Sequence, residues 1–119
     1  MTQSYQGSCH CGSVRFSYHG DSIVKAVRCS CSICARKGAM MSHEAIPKEN
    51  LKVEVDGENL GLYEFDSKIA KHYFCKTCGI YTHNEMLRKP GHMRVNLGCV
   101  DGLDTSDLEE VLFDGKNLL

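Results

Sequence analysis

The chain has 119 residues, 14 Lys+Arg against 15 Asp+Glu, eight cysteines, 11 glycines and no tryptophan. That length admits one domain, expected to span residues 1–119, with a core modest enough that cross-links matter. A formal charge of −1 with no concentrated basic face argues against a nucleic-acid partner. Arg36-Lys37, with Arg28 nearby, is the densest basic patch and reads as solvated surface charge.

The opening MTQSYQGSCHCG has neither the basic nor the apolar stretch of a signal peptide, and no apolar run approaches a membrane span. The expectation is a cytoplasmic protein with no membrane partner. There, clustered cysteines bind metal more often than they form disulfides.

In chain order the pattern is of short strands between turns. Val14, Phe16 and Tyr18 alternate with Ser13, Arg15 and Ser17, the period of a half-buried strand. Ile23 to Arg28 reads as a second strand and Ala39 to Ile46 as a weaker one. Leu51 to Val55 and Leu60 to Phe65 flank Asp56-Gly57 and predict a hairpin. Asp66-Ser67 turns the chain into Ile69 to Phe74, and Ile80 to Met86 follows. Met93 to Val100 ends the regular pattern, and Asp104 to Glu110 predicts a helical turn. The fold class is all-β.

Three cysteine clusters carry the chemistry: Cys9-His10-Cys11-Gly12, Cys29-Ser30-Cys31-Ser32-Ile33-Cys34 and Cys75-Lys76-Thr77-Cys78-Gly79. Two thiolates separated by two residues grip one ion from a tight turn, and Gly79 supplies the left-handed residue such a turn needs. A redox Cys-X-X-Cys sits at a helix start, whereas Ile80 to His83 reads as strand. Cys9 and Cys11, on extended backbone, would face one side. Cys9, Cys11, Cys75 and Cys78 therefore make the closed four-thiolate set of a structural zinc.

Cys29, Cys31 and Cys34 offer three thiolates without an evident fourth, the pattern of a zinc with an open position. Cys99, His43, His83, His10, water or an external thiol could close it. Cys99, at the end of an apolar strand, is expected to be a buried thiol rather than a ligand. Seven thiolates with two Zn²⁺ bring the net charge to roughly −4.

These three clusters, from Gly7-Ser8-Cys9-His10-Cys11-Gly12 through Phe74-Cys75-Lys76-Thr77-Cys78-Gly79, resemble the glutathione-dependent formaldehyde-activating enzyme family. That family also includes the C-terminal domain of centromere protein V, to which the run Ala35-Arg36-Lys37-Gly38-Ala39 is the more similar. The resemblance implies an Mss4-like fold of several small coiled antiparallel sheets stapled by zinc. It also implies a structural zinc on Cys9, Cys11, Cys75 and Cys78, and an active-site zinc on Cys29, Cys31 and Cys34.

The activity so implied is that of a carbon–sulfur lyase acting on a thiol–aldehyde adduct such as S-hydroxymethylglutathione, with two Zn²⁺ per chain and glutathione as co-substrate. Cys29, Cys31 and Cys34 would act through the second zinc, and Arg36 or Lys37 could hold a glutathione carboxylate. Two other readings compete: a non-enzymatic interaction module with both zincs structural, and a thiol or metal sensor.

Overall fold

Val14, Phe16 and Tyr18 are buried while the residues between them are half-buried, so the alternation read from the sequence makes a strand with one face on the core. The computed structural model describes residues 2–30, 32–64, 71–86 and 89–113. Cys31 and the Asp66-Ser67 turn lie outside the described residues, as do the end of the predicted strand at Phe65 and the start of the one at Ile69.

The elements run β1 (Thr2–Ser8), β2 (Val14–Asp21), β3 (Lys25–Cys29), α1 (Ser32–Lys37), β4 (Met41–Ser42), β5 (Ile46–Pro47), β6 (Leu51–Val55), β7 (Leu60–Tyr63), β8 (Lys71–Cys75), β9 (Tyr81–Glu85), β10 (His92–Val95) and β11 (Glu109–Phe113). They form three small sheets, ordered β1-β2-β6, β5-β10-β9-β8-β7 and β11-β3-β4. The all-β class holds, with one short helix among the described residues. Among the described residues every strand pairing is antiparallel except that of β11 with β3, which is parallel.

Phe16 and Tyr18 of β2 meet Ile46, Val95, Leu97 and Val100 in the main core, so the first sheet packs on one face of the second. Burying one such side chain contributes about 1.5–3 kcal/mol. A smaller cluster of Cys9, Val14 and Cys75 closes one end, with Val53, Val55, Leu60 and Cys78 around it. The first sheet approaches the Cys99 region so closely that a Cβ on Gly7 would stand 2.5 Å from the Cys99 carbonyl oxygen and 2.6 Å from the Phe16 ring.

Several sequence expectations need correction. Asp56-Gly57 does turn the chain, but β6 pairs with β2 and β7 with β8, so no hairpin forms. The polar start of the chain is a strand, β1, paired along its length with β2. Ala39 to Ile46 yields only the two-residue strands β4 and a part of β5. The run from Met93 leaves strand geometry after Val95 and makes a 3-10 turn at Leu97–Cys99. The helical turn near Asp104 is a 3-10 turn at Thr105–Asp107, followed by β11 rather than by irregular chain.

Candidate functional site

The β1–β2 connection and the turn after β8 bring four cysteines to one point. Cys9 donates its N–H to the Val14 carbonyl at 3.0 Å, and Cys75 donates to that of Ile80 at 3.0 Å, so each turn closes over six residues. Gly12 and Gly79 take the left-handed backbone these turns require, with φ of 84° and 79°. Cys9 and Cys11 thus meet through a tight turn and not, as expected, along extended backbone. Arg15 fastens the first turn, donating to the Gly12 carbonyl at 2.7 Å and pairing with Asp56 at 3.0 Å. Lys76 N–H donates to the Asn59 carbonyl at 2.7 Å and fastens the second.

The Sγ atoms of Cys9, Cys11, Cys75 and Cys78 all lie within 4.8 Å of one another and could hold a metal ion. Cys9 and Cys11 are 3.7 Å apart, and Cys11 and Cys75 3.6 Å. A tetrahedral ion with metal–sulfur bonds of about 2.3 Å needs sulfurs about 3.8 Å apart. The donor set fits. Cys9 and Cys75 are buried and Cys11 is exposed, so one edge of the cluster faces solvent.

Backbone N–H groups already favour thiolates here. Hydrogen bonds from the backbone of Cys11 and Ile80 pull the Cys78 thiol down to about 6. Hydrogen bonds from the Ser13 side chain and backbone lower that of Cys11. The Cys78 N–H acts in the same sense on Cys75, but burial and the neighbouring thiols outweigh it and push Cys75 up to about 11.

The second cluster stands on different elements. Cys29 ends β3 and Cys34 lies in α1. Gly38, with φ of 64°, stops that helix by donating its N–H to the Cys34 carbonyl at 3.1 Å. β11 braces the strand: Phe113 is the register partner of Cys29, and Ser30 N–H donates to its carbonyl at 3.0 Å. Arg28 belongs to this brace, pairing with Glu110 at 3.0 Å and donating to the Gly38 carbonyl at 3.2 Å.

Comparison with known proteins fits this arrangement. The family model described as glutathione-dependent formaldehyde-activating enzyme matches residues 4–113. The chain belongs to this family. A crystal structure of a Rhodobacter sphaeroides protein is 40% identical, with a TM-score of 0.80, and the alignment covers 90% of this chain and 97% of that one. The family's described activity makes a small thiol and an aldehyde the class of partner to consider.

With the family in hand, the remaining sequence candidates can be placed. Cys99 is buried in the main core, its Sγ 3.9 Å from the Tyr81 carbonyl, and burial pushes its thiol up to about 11. His10 and His43 are exposed. His83 is buried on the core side of β9, stacked on Tyr73 at 4.6 Å and hydrogen-bonded to Thr82 at 2.8 Å. Burial lowers its imidazole to about 4. Arg36 is exposed, whereas Lys37 lies with its Nζ 3.9 Å from the centre of the Tyr81 ring.

The sequence reading passed over a polar row on the other face of the large sheet. His72 of β8 is the register partner of Asn84 in β9, which is in turn the partner of Arg94 in β10. Tyr81 joins the row through a 2.7 Å hydrogen bond between its hydroxyl and His72 Nδ1. Burial, aided by the Lys37 charge, lowers His72 to about 4. The available signal was Arg94 itself, a cation alternating with Met93 and Val95 in a strand taken as apolar.

Proposed function

We propose that the protein is a zinc-dependent enzyme of thiol–aldehyde chemistry, a carbon–sulfur lyase type acting on an adduct such as S-hydroxymethylglutathione. Cys9, Cys11, Cys75 and Cys78 would hold a structural zinc, and Cys29, Cys31 and Cys34 a second one with an open position. The observation that carries this reading is the self-sufficiency of the first cluster. Its four sulfurs complete a tetrahedral set, so the cysteines of β3 and α1 are not needed to close it.

A zinc ion on three thiolates would supply Lewis acidity, holding an incoming thiol in its deprotonated form. The sulfur of glutathione then attacks the formaldehyde carbon: a C–S bond forms, the carbonyl π pair moves to oxygen, and that oxygen takes up the proton the thiol gave up. The reverse breaks the same bond and returns both reactants. The residues of this chain bind and orient. β11 and the Arg28 contacts fix the end of β3, and the Gly38 cap fixes α1, so the cysteines of both are presented with little reorganisation.

The test is to follow S-hydroxymethylglutathione by NMR in mixtures of glutathione and formaldehyde. Zinc-loaded protein should speed its formation and decay, and Cys34→Ser should remove the acceleration while the β circular-dichroism spectrum persists. Wild-type protein carrying two zincs per chain and giving no acceleration would overturn the reading in favour of an interaction module.

A further inference from the structure

We propose that Arg94, together with Asn84, anchors a carboxylate of the molecule that reacts at the Cys29–Cys34 cluster. The inference rests on the thiol–aldehyde reading and adds to it the residue that selects an anionic thiol. Arg94 alternates with Met93 and Val95, which are buried in the core, so its side chain projects from the opposite face of the sheet. On that face Asn84 and His72 stand beside it in register.

The helix carrying Cys34 covers the same face. Lys37 is three residues beyond Cys34, on the same side of α1, and its ammonium sits over Tyr81, which bonds His72. Burial lowers the proton affinity of Arg94, and the charges acting against that effect are those of Cys29 and Cys34. The strand pairings bring the two together: Met41 of β4 is the partner both of Val27, two residues before Cys29, and of Asn96, two residues beyond Arg94.

Arg94 makes no ion pair among the described residues; the three that occur join Arg15 to Asp56, Lys25 to Glu109 and Arg28 to Glu110. Its Nε is buried without a hydrogen-bond partner, and so is Asn84 Oδ1 across the strand pair. Both residues are half-buried, and each buried polar atom left unsatisfied is costly. Guanidinium has a planar fork of donors that matches a carboxylate, which sulfur ligands of a metal do not satisfy. A thiol whose sulfur lies at the cysteine cluster and whose carboxylate reaches β10 would satisfy the Arg94 donors directly. Asn84 would meet the same anion with its amide nitrogen, not with Oδ1.

The experiment uses the full chain with cobalt in place of zinc, titrated with glutathione and with its diethyl ester, in which both carboxylates are masked, reading the cobalt–thiolate absorbance. Wild type should bind glutathione roughly tenfold to a hundredfold more tightly than the ester. Arg94→Met should erase that ratio and leave ester binding unchanged, and Arg94→Lys should restore part of it. An unchanged ratio in Arg94→Met overturns the inference and leaves the thiol reading standing. So does an equal loss for both ligands with weaker metal retention, which would make Arg94 a charge balance for the thiolates. Failure of wild type to bind either thiol sinks the functional reading and this inference with it. If Arg94→Met does not fold, Arg94→Gln with its circular dichroism spectrum takes its place.

Discussion

Cys11 and Cys75 are 64 positions apart in the chain and 3.6 Å apart in space, whereas Cys29, Cys31 and Cys34 fall in one short run of sequence. The first cluster draws its sulfurs from two turns in two different sheets and buries two of them in a core of its own. The second is carried on the end of one strand and the helix after it. A metal in the first constrains the whole chain, while a metal in the second constrains a few neighbouring residues. One can serve stability and the other chemistry because the cost of losing each differs.

Substitution tests that difference most severely. Binding at a four-cysteine zinc site is worth about 10–16 kcal/mol, comparable with the roughly 5–15 kcal/mol net stability of a whole domain. Cys75→Ser is therefore expected to abolish the cooperative thermal transition. Cys34→Ser should keep it, with the midpoint lowered by less than about 8 °C, corresponding to roughly 1 kcal/mol. Equal collapse in the two variants would erase the contrast between the clusters.

Chelation sharpens it kinetically. Metal analysis of reduced, freshly purified protein should give two zincs per chain, and a mild chelator should take one of them early, while circular dichroism stays constant. Early loss of both together, with unfolding, would show that the second site is also a folding element.

A third test concerns the core face of the large sheet, which carries Cys75 at the end of β8. His83 has a folded pKa of about 4, below the ordinary 6.5, because burial disfavours its charged form. The unfolded chain therefore binds the proton first. His83 contributes stability that is fully present above pH 6.5, declines as pH falls from 6.5 to about 4, and is lost below that. Its ring resonances should stay those of a neutral imidazole from pH 8 to about pH 5. An inflection between pH 6 and 7 would contradict the buried placement.

The smallest effect is expected at Cys99. Its thiol packs in the main core, so Cys99→Ala should retain both metals at a cost of about 1 kcal/mol in chemical denaturation. Loss of the second zinc in that variant would make Cys99 the missing ligand and close the site against substrate.

What could be read in the sequence follows the range of the forces involved. The turn chemistry of Gly79 and the alternation of Val14, Phe16 and Tyr18 are local, and both appear in the structure as expected. Asp56-Gly57 announced its turn equally well, but a turn does not name the partners of its flanking strands. β6 goes to β2 and β7 to β8, partners that lie outside the turn's own reach along the chain. β1 escaped notice because its residues are mostly polar; it is held by backbone pairing to β2 and by Tyr5 against Tyr18, ring centroids 5.3 Å apart. α1 is too short to show a helical period. Arg94 was hidden by its neighbours, since a strand with one core face reads as apolar even when its other face carries a charge.

The parallel pairing of β11 with β3 bears on when the two regions can form. During synthesis Cys9, Cys11, Cys75 and Cys78 are all available once Gly79 has emerged, but β3 lacks its β11 partner until Phe113 follows. At usual ribosomal speeds the intervening stretch takes about 2–7 s to appear. Chains arrested after Val100 and after Phe113 should therefore differ in protease cleavage near Cys29 and match near Cys75. Cys29 and Cys34 thus leave the ribosome before Cys75 and Cys78 but are braced after them, and a nascent chain passes through an interval in which these thiols are present without the support of β11.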